Sequence, residues 1–248
     1  MKPHVLEIEK VLLSFPKRTS AHNPESYIGG GQSNLRYIGL RVPHLQQAMR
    51  TGFSFSHLSS KDIAKIWNEV WRESDCFEVM AMALSWFYDP QQKETLHRHW
   101  SLLKKWSSRI DNWAHSDTLS GIYARILEAN PDLVYPTLVK WNSSKNPWLR
   151  RLSIVSLIYY RSQREKILPL KKILDLVRPQ LEFDHYYVQK GVGWTLREAY
   201  NAEPEKTFVF IEAHIGKISA HAFSAATEKM SMKQKQHLKR LRKELRQK

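Results

Sequence analysis

Apolar residues recur every three or four positions along most of this 248-residue chain. The run Ile63, Ile66, Trp67, Val70 and Trp71 is typical of an amphipathic helix with one buried face. The same period predicts helices near 4–15, 43–50, 61–72, 75–88, 91–106, 112–128, 131–142, 147–161, 164–178, 185–200, 204–213 and 218–246. Short connections between these segments predict antiparallel pairs of helices.

One segment, 26–43, lacks the helical period. It contains Gly29-Gly30-Gly31 and Gly39 among larger residues, which predicts a loop or a short hairpin. No Gly-Lys-Ser/Thr follows the glycines and no strand precedes them, so a phosphate-cradling loop is disfavoured. The simpler interpretation is that the glycines give this stretch of the chain conformational freedom.

The predicted helices show an internal repeat. A polar residue stands just before an aromatic one at Asp75-Cys76-Phe77, Asp111-Asn112-Trp113, Asn146-Pro147-Trp148 and His185-Tyr186-Tyr187, and the aromatics lie 36, 35 and 39 residues apart. Helix pairs with such a period form solenoids, and the tetratricopeptide consensus is absent. The sequence therefore predicts an all-α fold: a curved α-solenoid of HEAT-like repeats with a concave groove, in one domain over 1–248.

A carboxylate interrupts this repeat. Four residues after each aromatic, the chain has Ala81, Asp117, Leu152 and Gly191. An aspartate at a packing position is either compensated locally or used for chemistry. Trp113 lies four residues before Asp117 and hence on the same helical face. The simpler alternative is an aspartate near a helix start, stabilised by the helix dipole.

Cations occupy another repeat position. Three residues after each aromatic, the chain has Met80, Ser116, Arg151 and Lys190, and Arg150 precedes Arg151. Stacked repeats would align such cations so that they follow phosphates, although each alone also fits solvated surface charge. Trp194 follows Gly191 and Gly193, which would give its indole room to approach a ligand, or it is a core tryptophan.

The charge balance indicates an anionic partner. Lysine and arginine number 39 and acidic residues 24, for a formal charge of +15. The C-terminal run 229–248 has nine basic residues and one acidic residue, more than half of this excess. It is predicted to be a basic helix or tail, either attracting phosphates or forming a solvated, partly disordered end.

The composition also argues against several classes of fold and of binding site. Nine glycines are few for a sandwich, a barrel or a Gly-loop nucleotide fold. A single cysteine, Cys76, allows no intramolecular disulfide and no Cys-based zinc site, which fits a reducing cytoplasm. His115, His97 and His99 could suggest a metal, but the His97-x-His99 pair has no third ligand nearby, so no metal site is predicted. No signal peptide or membrane span is expected.

Taken together, these residues resemble the AlkD-like family, which are bacterial DNA glycosylases built from HEAT-like repeats. The stretch Asp111 to Asp117 resembles the family's Trp-x-x-x-Asp catalytic helix, and Trp148-Leu149-Arg150-Arg151 resembles its Trp-Leu-x-Arg segment. The run Gln189 to Glu198 resembles Gln-Lys-x-x-Gly-Trp-x-Leu-Arg-Glu and is the most specific of the three. A further element, 38–43, resembles a Leu-Gly-x-x-x-Pro segment, and the resemblance extends from about residue 27 to 224.

The resemblance implies roles for individual residues. Asp117 would be the catalytic carboxylate, with Trp113 and Trp194 as aromatic walls beside the lesion. The residues expected to contact DNA are Arg151, Arg150, Lys190, Trp148 and Arg41. Asn112 stands where the family has a second tryptophan, and Ala114-His115 replace other polar residues, which affects substrate range more than chemistry.

The function implied is that of a monofunctional alkylpurine DNA glycosylase in base excision repair. It would hydrolyse the N-glycosidic bond of cationic N3- or N7-alkylpurines in duplex DNA without a deep base-flipping pocket. We expect no cofactor and no metal, alkylated double-stranded DNA as partner, a monomer, no membrane association and a bacterial cytoplasmic location. Two alternatives share the fold and charge: a catalytically silent protein that binds damaged or branched DNA, and a HEAT scaffold for an acidic protein.

Overall fold

The computed structural model describes residues 2–17, 28 and 33–247. Within them every regular element is an α-helix or a 3₁₀-helix, and the one β-type contact is an isolated parallel bridge between Arg36 and Cys76. The chain divides into two compact units, 1–119 and 120–248. The all-α repeat architecture predicted from the sequence is confirmed, and the single domain stays a prediction.

Thirteen α-helices lie in the described residues. The first unit contains α1 (Pro3–Leu13), α2 (Val42–Thr51), α3 (Ser60–Glu73), α4 (Phe77–Tyr88), α5 (Trp100–Trp106) and the start of α6 (Trp113–Ala129). The second contains the rest of α6, then α7 (Pro131–Asn142), α8 (Pro147–Val155), α9 (Leu170–Val177), α10 (Tyr186–Ala202), α11 (Pro204–Ala213), α12 (Ala220–Ala226) and α13 (Met232–Arg246).

The repeat read from the sequence sets the helix starts. Helices α4, α6, α8 and α10 begin at Phe77, Trp113, Pro147 and Tyr186, each within one residue of its predicted aromatic marker. Local chemistry fixes these starts. Asn146 caps α8 by accepting a hydrogen bond from the backbone of Trp148, and Pro147 sits in the first turn, where its missing N–H costs nothing.

The core of the first unit is aromatic. Helix α4 packs against α1, α2 and α3, and α3 packs against α5. The indoles of Trp71 and Trp106 stack with centroids 4.6 Å apart and planes 7° apart. Buried Glu78 on α4 accepts hydrogen bonds from three consecutive backbone N–H groups, those of residues 38–40. Such a carboxylate satisfies backbone donors that a buried loop would otherwise leave unpaired.

In the second unit, α10 is the central helix and packs against α8, α9, α11 and α12. A Cβ added at Gly193 would lie 2.4 Å from the carbonyl oxygen of Ala222, so only glycine allows α10 and α12 to pack this closely. A Cβ at Gly191 would lie 3.3 Å from a guanidinium nitrogen of Arg151. The sequence suggested that these glycines give Trp194 room. The structure shows that Gly193 serves helix packing instead.

Three predicted helices differ in extent. Segment 91–106 is two short 3₁₀ turns followed by α5, because Asp89 caps a turn at Pro90–Gln92. The helix predicted over 147–161 ends at Val155. The one predicted from residue 164 begins at Leu170, because Pro169 has no N–H to donate and its ring would clash inside a helix.

The single helix predicted over 218–246 is two helices, α12 and α13, with a turn between them. The break is a capping box: Ser231 accepts from the backbone of Gln234, whose side chain accepts in return from the backbone of Ser231. Leu238 of α13 is fully buried. The C-terminal segment is therefore a packed helix through Arg246 and not a disordered end.

The glycine-containing segment is partly described. Residues 26, 27 and 29–32 lie outside the described part, so the prediction for Gly29–Gly31 is untested. Residues 33–41 run as irregular chain beside the start of α4, where the backbone of Arg36 bonds to Asp75 and Phe77. In the described ranges, no helix has both the length and the apolar character needed to span a bilayer.

Candidate functional site

The start of α6 is a network of polar side chains ahead of Asp117. The side chain of Asn112 accepts a hydrogen bond from the backbone of His115 at 2.9 Å, and its amide nitrogen lies 3.2 Å from His115 Nδ1 and 3.1 Å from Asp111. Asp111 in turn accepts from the backbone of Asn34 and the hydroxyl of Ser33. Asn112 therefore closes the open end of the helix, a role for which asparagine is favoured.

His115 joins α6 to α4 as a neutral ring. Its Nε2 lies 3.1 Å from the carbonyl oxygen of Phe77, which can only accept, so Nε2 carries the hydrogen and Nδ1 accepts from Asn112. The imidazole stacks on the Phe77 ring at 4.3 Å. Burial lowers the pKa of His115 to about 4, so the ring is uncharged at neutral pH. In the sequence, His115 is recognisable only as a departure from the family pattern, and no local signal indicates its structural role.

Trp113 and Asp117 lie on the first turns of this anchored helix. Trp113 is the first residue of α6, and both side chains are half-buried. A separation of four residues places them on one face, about 6 Å apart along the helix axis. The structure therefore brings an indole and a carboxylate together on a helix start whose orientation is fixed by buried hydrogen bonds.

In the second unit, the starts of α8 and α10 are joined through Arg151. Its Nη1 donates a 2.6 Å hydrogen bond to the carbonyl oxygen of Tyr187, and the residue is 5% exposed. Trp148 is buried and stacks on Tyr187 at 5.1 Å. Arg151 and Trp148, two of the three residues of α8 predicted to contact DNA, thus also hold two repeats together. Their contact with DNA stays a prediction.

Arg150 is engaged inside the unit as well. Its guanidinium donates to the carbonyl oxygen of Ser144 at 2.5 Å and to Gln180 at 3.0 Å, and lies 4.1 Å from the centre of the Phe183 ring. By contrast, Lys190 on α10 is exposed, and so is Arg41 just before α2. Among the predicted phosphate contacts, these last two have the most accessible side chains.

Trp194 belongs to an aromatic cluster within the second unit. Its ring lies 5.2 Å from Tyr159 and 5.4 Å from Tyr160, and the guanidinium of Arg197 lies 5.6 Å from its centre. The indole is half-buried. It is therefore oriented by neighbours while part of its surface stays accessible, which suits a residue that contacts a ligand.

Tyr160 is a member of this cluster that the sequence did not indicate. It is the one non-glycine residue with positive φ in the described chain, at +45°, a conformation costing roughly 1–3 kcal/mol. Buried Glu198 holds the next residue by accepting from the backbone of Arg161 at 2.9 Å. No local pattern around Tyr159-Tyr160 signals this backbone geometry, because it depends on a carboxylate 37 residues away.

The described residues contain no group of three or more His, Cys, Asp or Glu side chains arranged as a metal site. Burial raises the pKa of the Cys76 thiol to about 12, so it is not a thiolate at neutral pH.

Comparisons with known proteins agree with this architecture. A family model described as "DNA alkylation repair enzyme" matches residues 8–230. A solved structure described as a predicted DNA alkylation repair enzyme from Enterococcus faecalis has a TM-score of 0.65 and 14% identity, covering 89% of this chain and 99% of its own. AlkD2 from Streptococcus mutans has a TM-score of 0.51 and 15% identity, covering 96% and 95%. At these identities both show similarity of fold alone, and no curated protein matches in sequence.

Proposed function

This chain belongs to the family of DNA alkylation repair enzymes, and on that basis we propose that it is a DNA glycosylase acting on cationic alkylpurines in duplex DNA. The family establishes a role in the repair of alkylated DNA. The proposal adds the reaction: hydrolysis of the bond between the base and the sugar C1′. It also adds the residues that perform it, beginning with Asp117.

An alkyl group on N3 or N7 gives a purine a positive charge. The base can therefore leave as a neutral molecule, taking the electron pair of the glycosidic bond, without being protonated. Positive charge develops on the sugar, water adds to C1′, and the water loses a proton. A fixed carboxylate stabilises the sugar cation and orients the water, and Asp117 is proposed for both tasks.

The tryptophans are proposed to favour the charged substrate. A cation over an indole face gains about 0.5–2 kcal/mol, depending on how far it is desolvated. Trp113, one turn before Asp117, would provide such a face in the first unit. Trp194 is proposed as a second indole, and its orientation by Tyr159 and Tyr160 supports this role. A neutral, undamaged base would gain less from either ring.

The observation that carries this proposal is the pairing of Trp113 and Asp117 on a rigid helix start. An electrostatic catalyst works when it is oriented before the reaction, so that no reorganisation is needed as charge develops. The bonds from Asn112 and His115 provide that rigidity, since both side chains are buried and hydrogen-bonded to helix backbone. A surface aspartate on a frayed helix end would not have this support.

The test is release of free base from a duplex that carries a single N7- or N3-methylpurine, with the purified chain and a chelator present. We expect single-turnover release well above the spontaneous rate. Asp117→Asn keeps size and hydrogen bonding but removes the charge, and should slow release by about 10²–10³-fold. Asp132→Asn, an exposed aspartate on α7, is the matched control and should leave the rate unchanged.

Two outcomes would contradict the proposal. Tight binding of damaged duplex without base release would favour a silent DNA-binding protein. Release at the parental rate by Asp117→Asn would make Asp117 a structural residue of the helix start. Thermal unfolding of each variant is needed beside the rates, so that a loss of folded protein is not taken for a loss of catalysis.

A further inference from the structure

A row of four cations runs along one face of the C-terminal helix α13. Lys239, Arg242, Lys243 and Arg246 follow the i, i+3, i+4, i+7 spacing that aligns side chains on a helix. We call these four residues the α13 stripe. Over seven residues the stripe extends about 10 Å along the helix axis.

The orientation of α13 is fixed, so the stripe points in a defined direction. Leu238 is fully buried, the hydroxyl of Tyr200 donates to Gln234 at 3.0 Å, and His237 contacts Glu212. The capping box at Ser231 fixes the start of the helix. These contacts lie away from the stripe, which faces a groove beside α12.

This groove is open, has a volume of about 400 Å³ and is lined by cations. Besides the stripe, its lining residues are Ala220, Phe223 and Gln247. The guanidinium of Arg242 lies 4.5 Å from the centre of the Phe223 ring. Burial, and then the charge of Arg246, lower the pKa of Arg242. The fold therefore holds like charges together at an electrostatic cost.

No carboxylate in the described part of the chain forms an ion pair with the stripe, whereas other cations nearby do have partners. Arg240 pairs with Glu244, and Lys229 pairs with Glu228. Lys235 donates to the carbonyl oxygen of Glu228. An uncompensated row of like charges on an ordered helix is best explained by an anion that is supplied from outside the chain.

We propose that the α13 stripe is a separate anchor for the phosphate backbone of duplex DNA. The choice of DNA as its ligand rests on the proposed function. Phosphates of one strand follow each other with a rise of about 3.4 Å along the duplex axis, so the stripe covers roughly three of them. A helix lying on a membrane would turn its apolar face to the lipid. In α13, Leu238 is instead fully buried within the unit, and the Phe223 ring of α12 lies beneath Arg242.

The test compares two charge-neutralised variants of the full chain. The stripe variant carries Lys239→Gln, Arg242→Gln, Lys243→Gln and Arg246→Gln. The control carries Lys229→Gln, Lys233→Gln, Lys235→Gln and Arg240→Gln, which removes the same charge from the same segment. Affinity for an undamaged duplex is measured against salt concentration. The slope of log affinity against log salt should shrink by about 3 for the stripe variant and by less than 1 for the control.

Several outcomes would overturn the inference. Equal changes in both variants would show a general effect of net charge, and no change in either would show that the stripe does not touch DNA. Loss of binding to phosphatidylserine vesicles or to an acidic peptide, with unchanged DNA binding, would assign the stripe to another partner. Because undamaged DNA is used, the result does not depend on base release. A stripe effect without release would leave this anchor standing and contradict the glycosylase proposal alone.

Discussion

The two compact units of this chain differ in charge although they are built from the same kind of repeat. The first unit, 1–119, has 15 basic and 12 acidic residues, and the second, 120–248, has 24 and 12. The excess is therefore +3 in one and +12 in the other. A repeat can thus keep its helices and change its electrostatics, and most of the excess positive charge lies in one half of the chain.

One repeat position shows the difference at atomic detail. Three residues after the aromatic markers, the first unit has Met80 and Ser116, both buried, and the second has buried Arg151 and exposed Lys190. One bond between the helix starts of successive repeats differs in the same way, although Arg109 in the first unit also donates to the carbonyl oxygen of Ser74. In the first unit, neutral His115 donates to the carbonyl of Phe77, and in the second a guanidinium donates to the carbonyl of Tyr187.

The largest expected effect comes from Gly193→Ala, which tests whether the second unit depends on close backbone packing. The new methyl group would lie 2.4 Å from a backbone oxygen of α12, so α10 and α12 must separate. We expect a loss of several kcal/mol, on the scale of the 3–5 kcal/mol typical of a severe core defect, measured by chemical unfolding. Gly191→Ala would meet side-chain atoms of Arg151 and Val155 at 3.3 Å, which need to shift by only a few tenths of an ångström, and should destabilise the chain less than Gly193→Ala. Equal effects would show that the helices adjust freely.

The next effect concerns pH and distinguishes the two inter-repeat bonds. His115 has a pKa of about 4 in the folded chain and about 6.5 when unfolded, so the unfolded chain binds the proton first as pH falls. The stability contributed by the neutral ring is complete above pH 6.5 and is lost as pH falls toward 4, by roughly 3 kcal/mol. The bond of Arg151 to the carbonyl oxygen of Tyr187 is the comparison in the second unit.

This difference can be measured by hydrogen exchange. The amides near the start of α6 are compared with those near the start of α10. His115→Gln should flatten the pH dependence at α6 and leave α10 unchanged. Half-buried His185, whose pKa is also lowered by burial, gives a background that both proteins share. A variant with the parental pH profile would show that His115 is already protonated or exposed in the folded chain.

These cases show what the sequence could predict. Periodicity and helix-start residues predicted most of the helices, because the spacing of apolar positions and the chemistry of caps are local. The aromatic markers predicted the repeat because each one begins a helix whose face packs on its neighbour. The break between α12 and α13 was also readable, since Ser231 and Gln234 have capping-box spacing, but the run of basic residues obscured it.

The remainder depends on contacts between distant residues. Nothing near Arg151 in the sequence indicates that its guanidinium bonds to a carbonyl 36 residues away. From the sequence, a charged residue that holds the fold therefore cannot be distinguished from one on the surface. The same holds for His115 and for the left-handed conformation of Tyr160. Candidate residues could be named from the sequence. Only the structure, in which the repeats contact one another, shows which of these residues stabilise the fold.

A smaller effect is expected from Arg151→Met, which keeps the aliphatic stem and removes the donor. The carbonyl of Tyr187 loses a charged donor at a half-buried position, and a hydrogen bond to a charged group contributes roughly 1.5–3 kcal/mol, which unfolding experiments can measure. The phosphate contact implied by the resemblance would in addition lower the salt slope of DNA binding by about 0.9. Unchanged stability would show that the bond between α8 and α10 is dispensable.

The smallest expected effect, and the one that isolates electrostatics from folding, is that of Lys190→Gln. Its side chain is exposed on α10, so the change in stability should stay within about 0.5 kcal/mol, as for most surface substitutions. If Lys190 meets a phosphate, the salt slope of duplex binding falls by about 0.9. Lys140→Gln, an exposed lysine on α7 of the same unit, is the matched control and should leave the slope unchanged, since no repeat position predicts a phosphate there. Identical slopes for the two variants would mean that DNA is attracted by the net charge of the second unit and not by particular cations. Lys190 would then contribute no more to DNA binding than any other exposed lysine of this unit.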